Sequence, residues 1–400
     1  MRVLQVVKTV DGAKWAVDQV AELVARGVEV HVALPHFHGR FIELWQTTGA
    51  RLHALPMDLP VGAPWRLPAL LQDVRKLVRE VSPDLIHSHF FGTTLVLRYA
   101  LGKDHPVPRL FQVPGPLHLE HRLFREWELS SAGSNDSWIA SSRYILDHYH
   151  HAGINAKRLF LSYYGVRIRP PQPRLGRLRD HLHINVSDKV IGNINYLYPP
   201  KWYLGQRKGL KRHEDVIDAL GLVLAERSDV VGLLVGGQWG GGKRYEERLR
   251  NKAQEIGHGR IIMPGYMAAD EVLGGWADFD LAVHVPSSEN CGGVVEPLLA
   301  GVPVIAARVG GLPEVVIDGV TGLLIDKGDV GQLADAMIRT LDHLDGYRGM
   351  AACGQKLVRH MFDVRRTAQE VLDIYTHLIE GTPAPRAFDS HAFAVSGEST

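Results

Sequence analysis

Short apolar runs alternate with longer amphipathic stretches along most of the chain. Val3–Val7 reads as a short buried strand, and Trp15–Arg26 carries apolar residues at helical spacing before a stop at Gly27. Val28–Leu34 then returns to a strand, which completes a strand–helix–strand unit of the parallel kind. The alternation continues with a helix at Leu67–Val81, the run Asp84-Leu-Ile-His-Ser-His, a strand at Arg109–Val113 and another from Trp138. Arg167–Arg177, with its prolines and basic residues, is the predicted linker. A second series starts at Lys189 and predicts strands at Val230–Gly237, Ile261–Tyr266, Leu281–Val285 and Val302–Ala306. Asp318-Gly-Val-Thr-Gly-Leu-Leu reads as a turn and hairpin, and helices at Val330–Leu344 and Val364–Ile379 close the series. Residues 381–400 are small and polar in type and are expected to be disordered. The pattern predicts an α/β chain with an N-terminal domain over residues 1–168 and a C-terminal one over 178–357.

Composition narrows the class. A chain of 400 residues, 45% hydrophobic and 22% charged, is that of an ordinary globular protein, and a net charge of +1 argues against wholesale nucleic-acid binding. Two cysteines, Cys291 and Cys353, imply no disulfide framework. The N-terminus enters a strand directly and carries no long apolar segment, so neither a signal peptide nor a membrane span is expected, and the expected location is cytoplasmic.

The densest chemistry lies in residues 284–316. Gly292 and Gly293 stand where a helix would begin, so their N–H groups can approach an anion with the helix start adding partial positive charge. Glu296 follows one turn later. A carboxylate would repel a phosphate but suits the paired hydroxyls of a sugar, because it only accepts hydrogen bonds and a vicinal diol offers two donors. One short helix would thus hold a diphosphate at its tip and a ribose on its flank. Elsewhere, Gly12 sits in a loop ahead of the first helix, where an anion loop and a bland loop are equally compatible. His36 with His38, and His87 with His89, each share a strand face, but no third and fourth ligand with matching spacing accompanies them, so metal is set aside. Asp278-Phe-Asp280 leads straight into a buried strand and reads as structural.

The stretch Glu296-Pro-Leu-Leu-Ala-Gly-Val-Pro-Val, with the glycine loop before it, resembles the signature of the family 4 retaining glycosyltransferases, which have the GT-B fold of two Rossmann-like domains facing each other across a cleft. Counting back from Glu296, the family's seven-residue gap lands on Ser288, whereas the carboxylate is Glu289. The resemblance implies donor contacts from Ser288, Asn290, Cys291, Gly292, Gly293 and Glu296, with Glu289 near the transferred sugar. It places a diphosphate-neutralising pair in the basic run 201–212: Lys211 takes the lysine slot, Lys201 or Arg207 its partner, and Lys208 lies beside them. It also implies donor contacts at Gly12, Gly236, Gly265 and Tyr266, the last two at a strand end where the family holds the base. His118 falls after the strand where the family keeps a histidine near the sugar, and Lys14, His89 and Glu120 are candidate acceptor contacts. The last helix, 358–380, is expected to return to the first domain.

The opening loop, the 198–211 run and Ser-Glu-Asn-Cys-Gly-Gly-Val-Val-Glu are similar to glycosyltransferases of aminoglycoside biosynthesis, notably those adding an amino sugar such as kanosamine. The expectation is a metal-independent, retaining hexosyl transfer from a UDP-sugar to a hydroxyl of a small acceptor, with no cofactor, nucleic acid or membrane span. The alternatives are polysaccharide or glycolipid assembly, or a non-catalytic nucleotide-sugar-binding protein.

Overall fold

The apolar runs assemble into two sheets in which every ladder is parallel. The computed structural model describes residues 1–170, 173–202, 205–239, 243–267 and 274–396. The chain divides into two units by internal packing: Met1–Ile168 with His360–Phe388, and Arg169–Arg359 with the stretch from Asp389.

The first unit contains β1 (Arg2–Val6), β2 (Glu29–Leu34), β3 (Arg51–Ala54), β4 (Leu85–His89), β5 (Arg109–Val113), β6 (Asp136–Ala140) and β7 (Leu159–Leu161), in the order β3-β2-β1-β4-β5-β6-β7. The central strands β4, β5 and β6 are buried along their whole length, and the polar residues they carry, His87, Ser88, His89, Arg109, Gln112, Asp136 and Ser137, are buried with them. β3, at the edge, has only exposed and half-buried positions and carries Arg51 and His53, residue types that discourage pairing with another chain. Helix Lys14–Ala25 follows β1. Its apolar face (Val17, Val20, Leu23) shares one core with Val371, Ile374 and Tyr375 of helix Val364–Glu380. Truncating the fully buried Ile374 to alanine would cost about 2–5 kcal/mol. A short parallel bridge between Val166 and Asp363 ties this late helix to the unit, and Gly165 makes room for it, since a Cβ there would overlap Val364.

The second unit contains β8 (Lys189–Ile194), β9 (Val230–Val235), β10 (Ile261–Gly265), β11 (Leu281–His284), β12 (Val304–Ala307) and β13 (Leu323–Ile325), in the order β10-β9-β8-β11-β12-β13. In each sheet the strand order reverses direction once, between β1 and β4 and between β8 and β11. Parallel sheets of this kind bind ligands at the carboxyl ends of the strands beside such a reversal.

Three expectations need correction. The segment around Asp318 makes a turn, bridged to Gly322, but no hairpin, because β13 pairs parallel to β12. The helix after the glycine pair runs over Val295–Leu299, two residues later than expected. Residues 390–396, expected to be disordered, form a helix. Among the described residues no helix is long and apolar enough to cross a membrane.

Candidate functional site

In the second unit the reversal between β8 and β11 brings three loops together. The chain leaves β11 at His284, and Ser287 bonds back to Leu210, donating both its N–H (2.8 Å) and its hydroxyl (3.2 Å) to that carbonyl. This stitch joins the exit of β11 to the segment before helix His213–Glu226. It sets Lys211 Nζ on the Glu289 carboxylate, with each side chain only 14% exposed. Glu289 also receives His284 Nε2 at 3.1 Å and the Asn290 N–H at 3.1 Å. Burial works to raise the Glu289 pKa, but the Lys211 charge and the His284 hydrogen bond outweigh it and hold the carboxyl at about 2. Burial, opposed by the nearby Glu289, also lowers the His284 pKa, so its ring is neutral at pH 7. His213 is buried beside them, lowered to about 3 by burial and by Lys211, and neither of its ring nitrogens has a hydrogen-bond partner among the described residues.

Glycines shape the backbone here. Gly310, at φ 55, lies against the Glu289 carbonyl, where a Cβ would overlap the oxygen. Gly293, at φ 79, stands against the His284 ring, again with no space for a Cβ. Ser288 and Asn290 are nearly buried in the same loop. Cys291 is buried with its Sγ 3.5 Å from the Gly311 carbonyl, and burial pushes its thiol up, so it is no nucleophile. Glu296 stands exposed on the first turn of Val295–Leu299 and accepts from Trp276 Nε1 at 3.3 Å.

Not every basic residue of the 201–212 run is available to a ligand. Lys208 and Arg212 are both paired with the buried Asp215, so Lys208, expected at the donor, is held at the start of its own helix. Arg207 is exposed and Lys201 half-buried. The expected glycine contacts at Gly236 and Gly265 lie side by side at the ends of β9 and β10, where the Gly236 N–H donates to the Gly265 carbonyl at 2.9 Å. Gly236 has no room for a Cβ against the Asn195 carbonyl. Residues 240–242 of that glycine cluster lie outside the described residues. Tyr266, 55% exposed, faces Tyr196, which in turn meets Trp239 and Tyr198. Burial, with Glu289 nearby, raises the Tyr198 pKa to about 12. This aromatic rim was not expected, apart from Tyr266. Asp278 and Asp280 are buried, accepting from Gly176, Leu178 and Arg179, the structural role read for them. Among the described residues no cluster of three or more His, Cys, Asp or Glu is placed to hold a metal ion.

In the first unit the carboxyl end of β4 is filled rather than open. His89, expected to meet an acceptor, is fully buried: Nε2 lies 2.8 Å from Gln5 Oε1 and Nδ1 3.1 Å from the Tyr164 hydroxyl. His87 contacts the Tyr375 hydroxyl at 2.6 Å, and Gln5 donates to that same oxygen at 3.0 Å. Trp15 covers the group, 5.1 Å from the His89 ring and 3.9 Å from the Tyr164 ring. His89, expected at the acceptor, is thus held inside a buried hydrogen-bond network. Lys14 is paired with Asp18, which also holds Arg167, so it too has a structural partner. Gly12 has an ordinary backbone, and the left-handed residue opening the helix is Ala13, at φ 58. His118 sits half-buried between Phe91 and Phe111, with Nε2 3.4 Å from the Tyr149 hydroxyl and its pKa lowered to about 4 by burial. Glu120 is exposed and accepts from Tyr144 at 3.3 Å.

Sequence reasoning passed over His284, Asn195 and Gly310. The signal for His284 was its place as the last residue of a strand, directly below a glycine.

Residues 12–169 match the model of Glycosyltransferase Family 4, and residues 202–343 that of Glycosyl transferases group 1. A D-inositol 3-phosphate glycosyltransferase of Nocardioides sp. is 34% identical over 185 residues, 43% of this chain and 40% of the relative, so the matched stretch spans less than half of that relative's length. The enzyme of that name from Corynebacterium jeikeium is 29% identical over 307 residues, 68% of each chain. The crystal structure of Anabaena HepE in complex with UDP-glucose superposes with a TM-score of 0.78 at 23% identity, covering 94% of this chain and 99% of that one. A family 4 half followed by a group 1 half, on two parallel sheets of the GT-B kind, makes this chain a member of the GT-B glycosyltransferases of group 1/family 4.

Proposed function

We propose that the protein transfers a hexosyl group from a UDP-sugar to a hydroxyl of a small cyclitol-type acceptor, with retention and without a metal. The observation that carries the donor half is the buried Lys211–Glu289 pair beside the Gly292–Gly293 backbone at the carboxyl end of the second sheet. In this reading an arriving diphosphate takes Lys211 as its counter-cation, and the released carboxylate of Glu289 accepts from sugar hydroxyls. Arg207 and Lys201 lie in the same run and supply further charge. The Glu296 carboxylate, exposed one turn later, takes the ribose hydroxyls, and the Tyr266 ring stands at the base end.

Catalysis then rests on orientation and on stabilising charge that grows on the leaving diphosphate. The acceptor hydroxyl attacks the face from which the diphosphate departs, and its proton passes to the leaving phosphate oxygen, so no protein nucleophile is needed. The buried thiol of Cys291 fits that absence. UDP as carrier is supported by the UDP-glucose complex of HepE. A cyclitol acceptor is supported by the relatives' name, D-inositol 3-phosphate glycosyltransferase, and by the resemblance of three stretches of the sequence to glycosyltransferases of aminoglycoside biosynthesis. The acceptor is thus an inositol phosphate or an aminocyclitol pseudodisaccharide.

Incubation with UDP-glucose, UDP-N-acetylglucosamine and UDP-kanosamine, with and without each acceptor, tests this by UDP release. The proposal expects release that depends on a cyclitol, with an α-linked product and full activity in EDTA. Release that needs Mn2+ would overturn metal independence, and tight UDP binding with no turnover on any acceptor would make the protein a sensor.

A further inference from the structure

We infer that His284, fixed in one tautomer by Asn195, is the positioning residue for Glu289 and ties that carboxylate to the glycine loop. The inference rests on the proposed reading of Glu289 as a sugar contact, but its geometric part stands independently.

Hydrogen-bonding rules fix the proton from both ends. Glu289 is ionised and can only accept, so the His284 nitrogen 3.1 Å away, Nε2, carries the hydrogen. The ring is buried and neutral, so Nδ1 has a lone pair. Asn195 meets that lone pair with its amide nitrogen, a donor, at 3.4 Å. The chain of donation therefore runs from Asn195 to His284 to Glu289, and Lys211 donates from the other side. Asn195 is itself anchored: its N–H donates to the Val235 carbonyl at 2.9 Å, and its carbonyl lies against Gly236.

The ring has a second role. A Cβ at Gly293 would overlap Cε1 and both nitrogens of the ring, so the backbone that would meet the phosphate passes close to the same imidazole that aims the carboxylate. Besides Glu289, the charged or titratable groups acting on the ring are Lys211 and His213. When a diphosphate draws Lys211 away from Oε2, His284 is the side chain that still holds that oxygen, with the Asn290 N–H on Oε1. A histidine that orients a carboxylate has a tautomer set by its two partners; one that only fills space does not.

The test combines spectroscopy with kinetics on the full-length protein. Imidazole 15N spectra should give His284 the Nε2-protonated signature, and Asn195→Asp, which offers an acceptor to Nδ1, should shift it to the Nδ1-protonated or doubly protonated form. In turnover of UDP-glucose with the acceptor, His284→Phe should lower kcat about tenfold to a hundredfold, the scale of one hydrogen bond to a charged group, while UDP affinity stays within about threefold. His284→Gln, whose amide can still donate to Glu289, should recover most of kcat, and Asn195→Asp should cost much less in that background than in the wild type. An Nδ1-protonated wild-type ring, or equal kcat in wild type and His284→Phe, would overturn the inference. Absence of UDP release by the wild type would instead sink the proposed function, and the tautomer spectra would still decide the positioning role.

Discussion

The carboxyl ends of the two sheets are built from similar backbones and opposite chemistry. In the first unit the end of β4 is plugged by neutral side chains, with His87 and His89 bonded to Gln5, Tyr164 and Tyr375. In the second unit the end of β11 carries an ion pair, with glycines where the first unit has rings. A neutral network leaves little for an anion to exchange with. An ion pair does the reverse, because each partner can trade the other for a ligand of matching charge and recover its electrostatic energy. The contrast teaches that a parallel sheet's switch point is only an opening, and that the charge state of the side chains closing it decides what can enter.

The largest effect should come from splitting the ion pair. Lys211→Met leaves Glu289 buried without its cation, which should destabilise the second unit by about 3–5 kcal/mol. The double variant Lys211→Met/Glu289→Leu should regain most of that loss in denaturant unfolding. Activity should remain depressed in both variants, by about 2–4 kcal/mol of transition-state stabilisation for the missing donor. A double variant as active as wild type would remove the pair from the mechanism.

Acidification should act next on both ends through their buried neutral histidines and not through the ion pair. His87 titrates at about 3 in the folded first unit and near 6.5 when unfolded, so the unfolded chain takes up its proton first. Its contribution is complete above pH 6.5 and is lost as pH falls towards 3, at up to ~1.4 kcal/mol per pH unit. His89 and His118 in the same unit, and His213 and His284 in the second, act in the same direction. Glu289, lowered to about 2, adds stability above pH 4.5 that is lost only below it. Hydrogen exchange at pH 7.5 and 5 should therefore show protection falling in β4 and helix Val364–Glu380, with Glu289 contributing nothing to the change. Unchanged protection in β4 at pH 5 would contradict the neutral plug.

A smaller effect is expected at Glu296. Glu296→Gln should weaken UDP binding by about 1.5–3 kcal/mol, the range for a hydrogen bond to a charged group, measured by calorimetry without acceptor. Equal affinity would leave Glu296 only as an acidic first-turn residue favoured by the helix dipole.

Much of this was legible before any coordinates. The parallel strands follow from the apolar runs, and Glu289 with Gly292–Gly293 from one contiguous stretch, whereas Lys211 came from a separate basic run and its pairing with Glu289, on the loop leaving an adjacent strand, was not legible. The burial of His89 was not legible, because its partners Gln5 and Tyr164 lie dozens of positions away in the sequence and no local pattern announces a buried hydrogen-bond network. The pairing of Lys208 was hidden for the opposite reason. Its partner Asp215 is close by, but a basic run does not reveal which members are already paired within their own helix start. Asn195 and His284 belong to strand ends that the sequence presents as ordinary core.

The most direct measurement is calorimetric titration of UDP into the wild type and the folded Lys211→Met/Glu289→Leu variant at neutral pH. If the ion pair at the end of β11 is where the diphosphate is exchanged, the wild type binds UDP and the variant binds at least about tenfold more weakly, on the scale of one lost charge-assisted contact. Equal UDP affinity in the two proteins would contradict it.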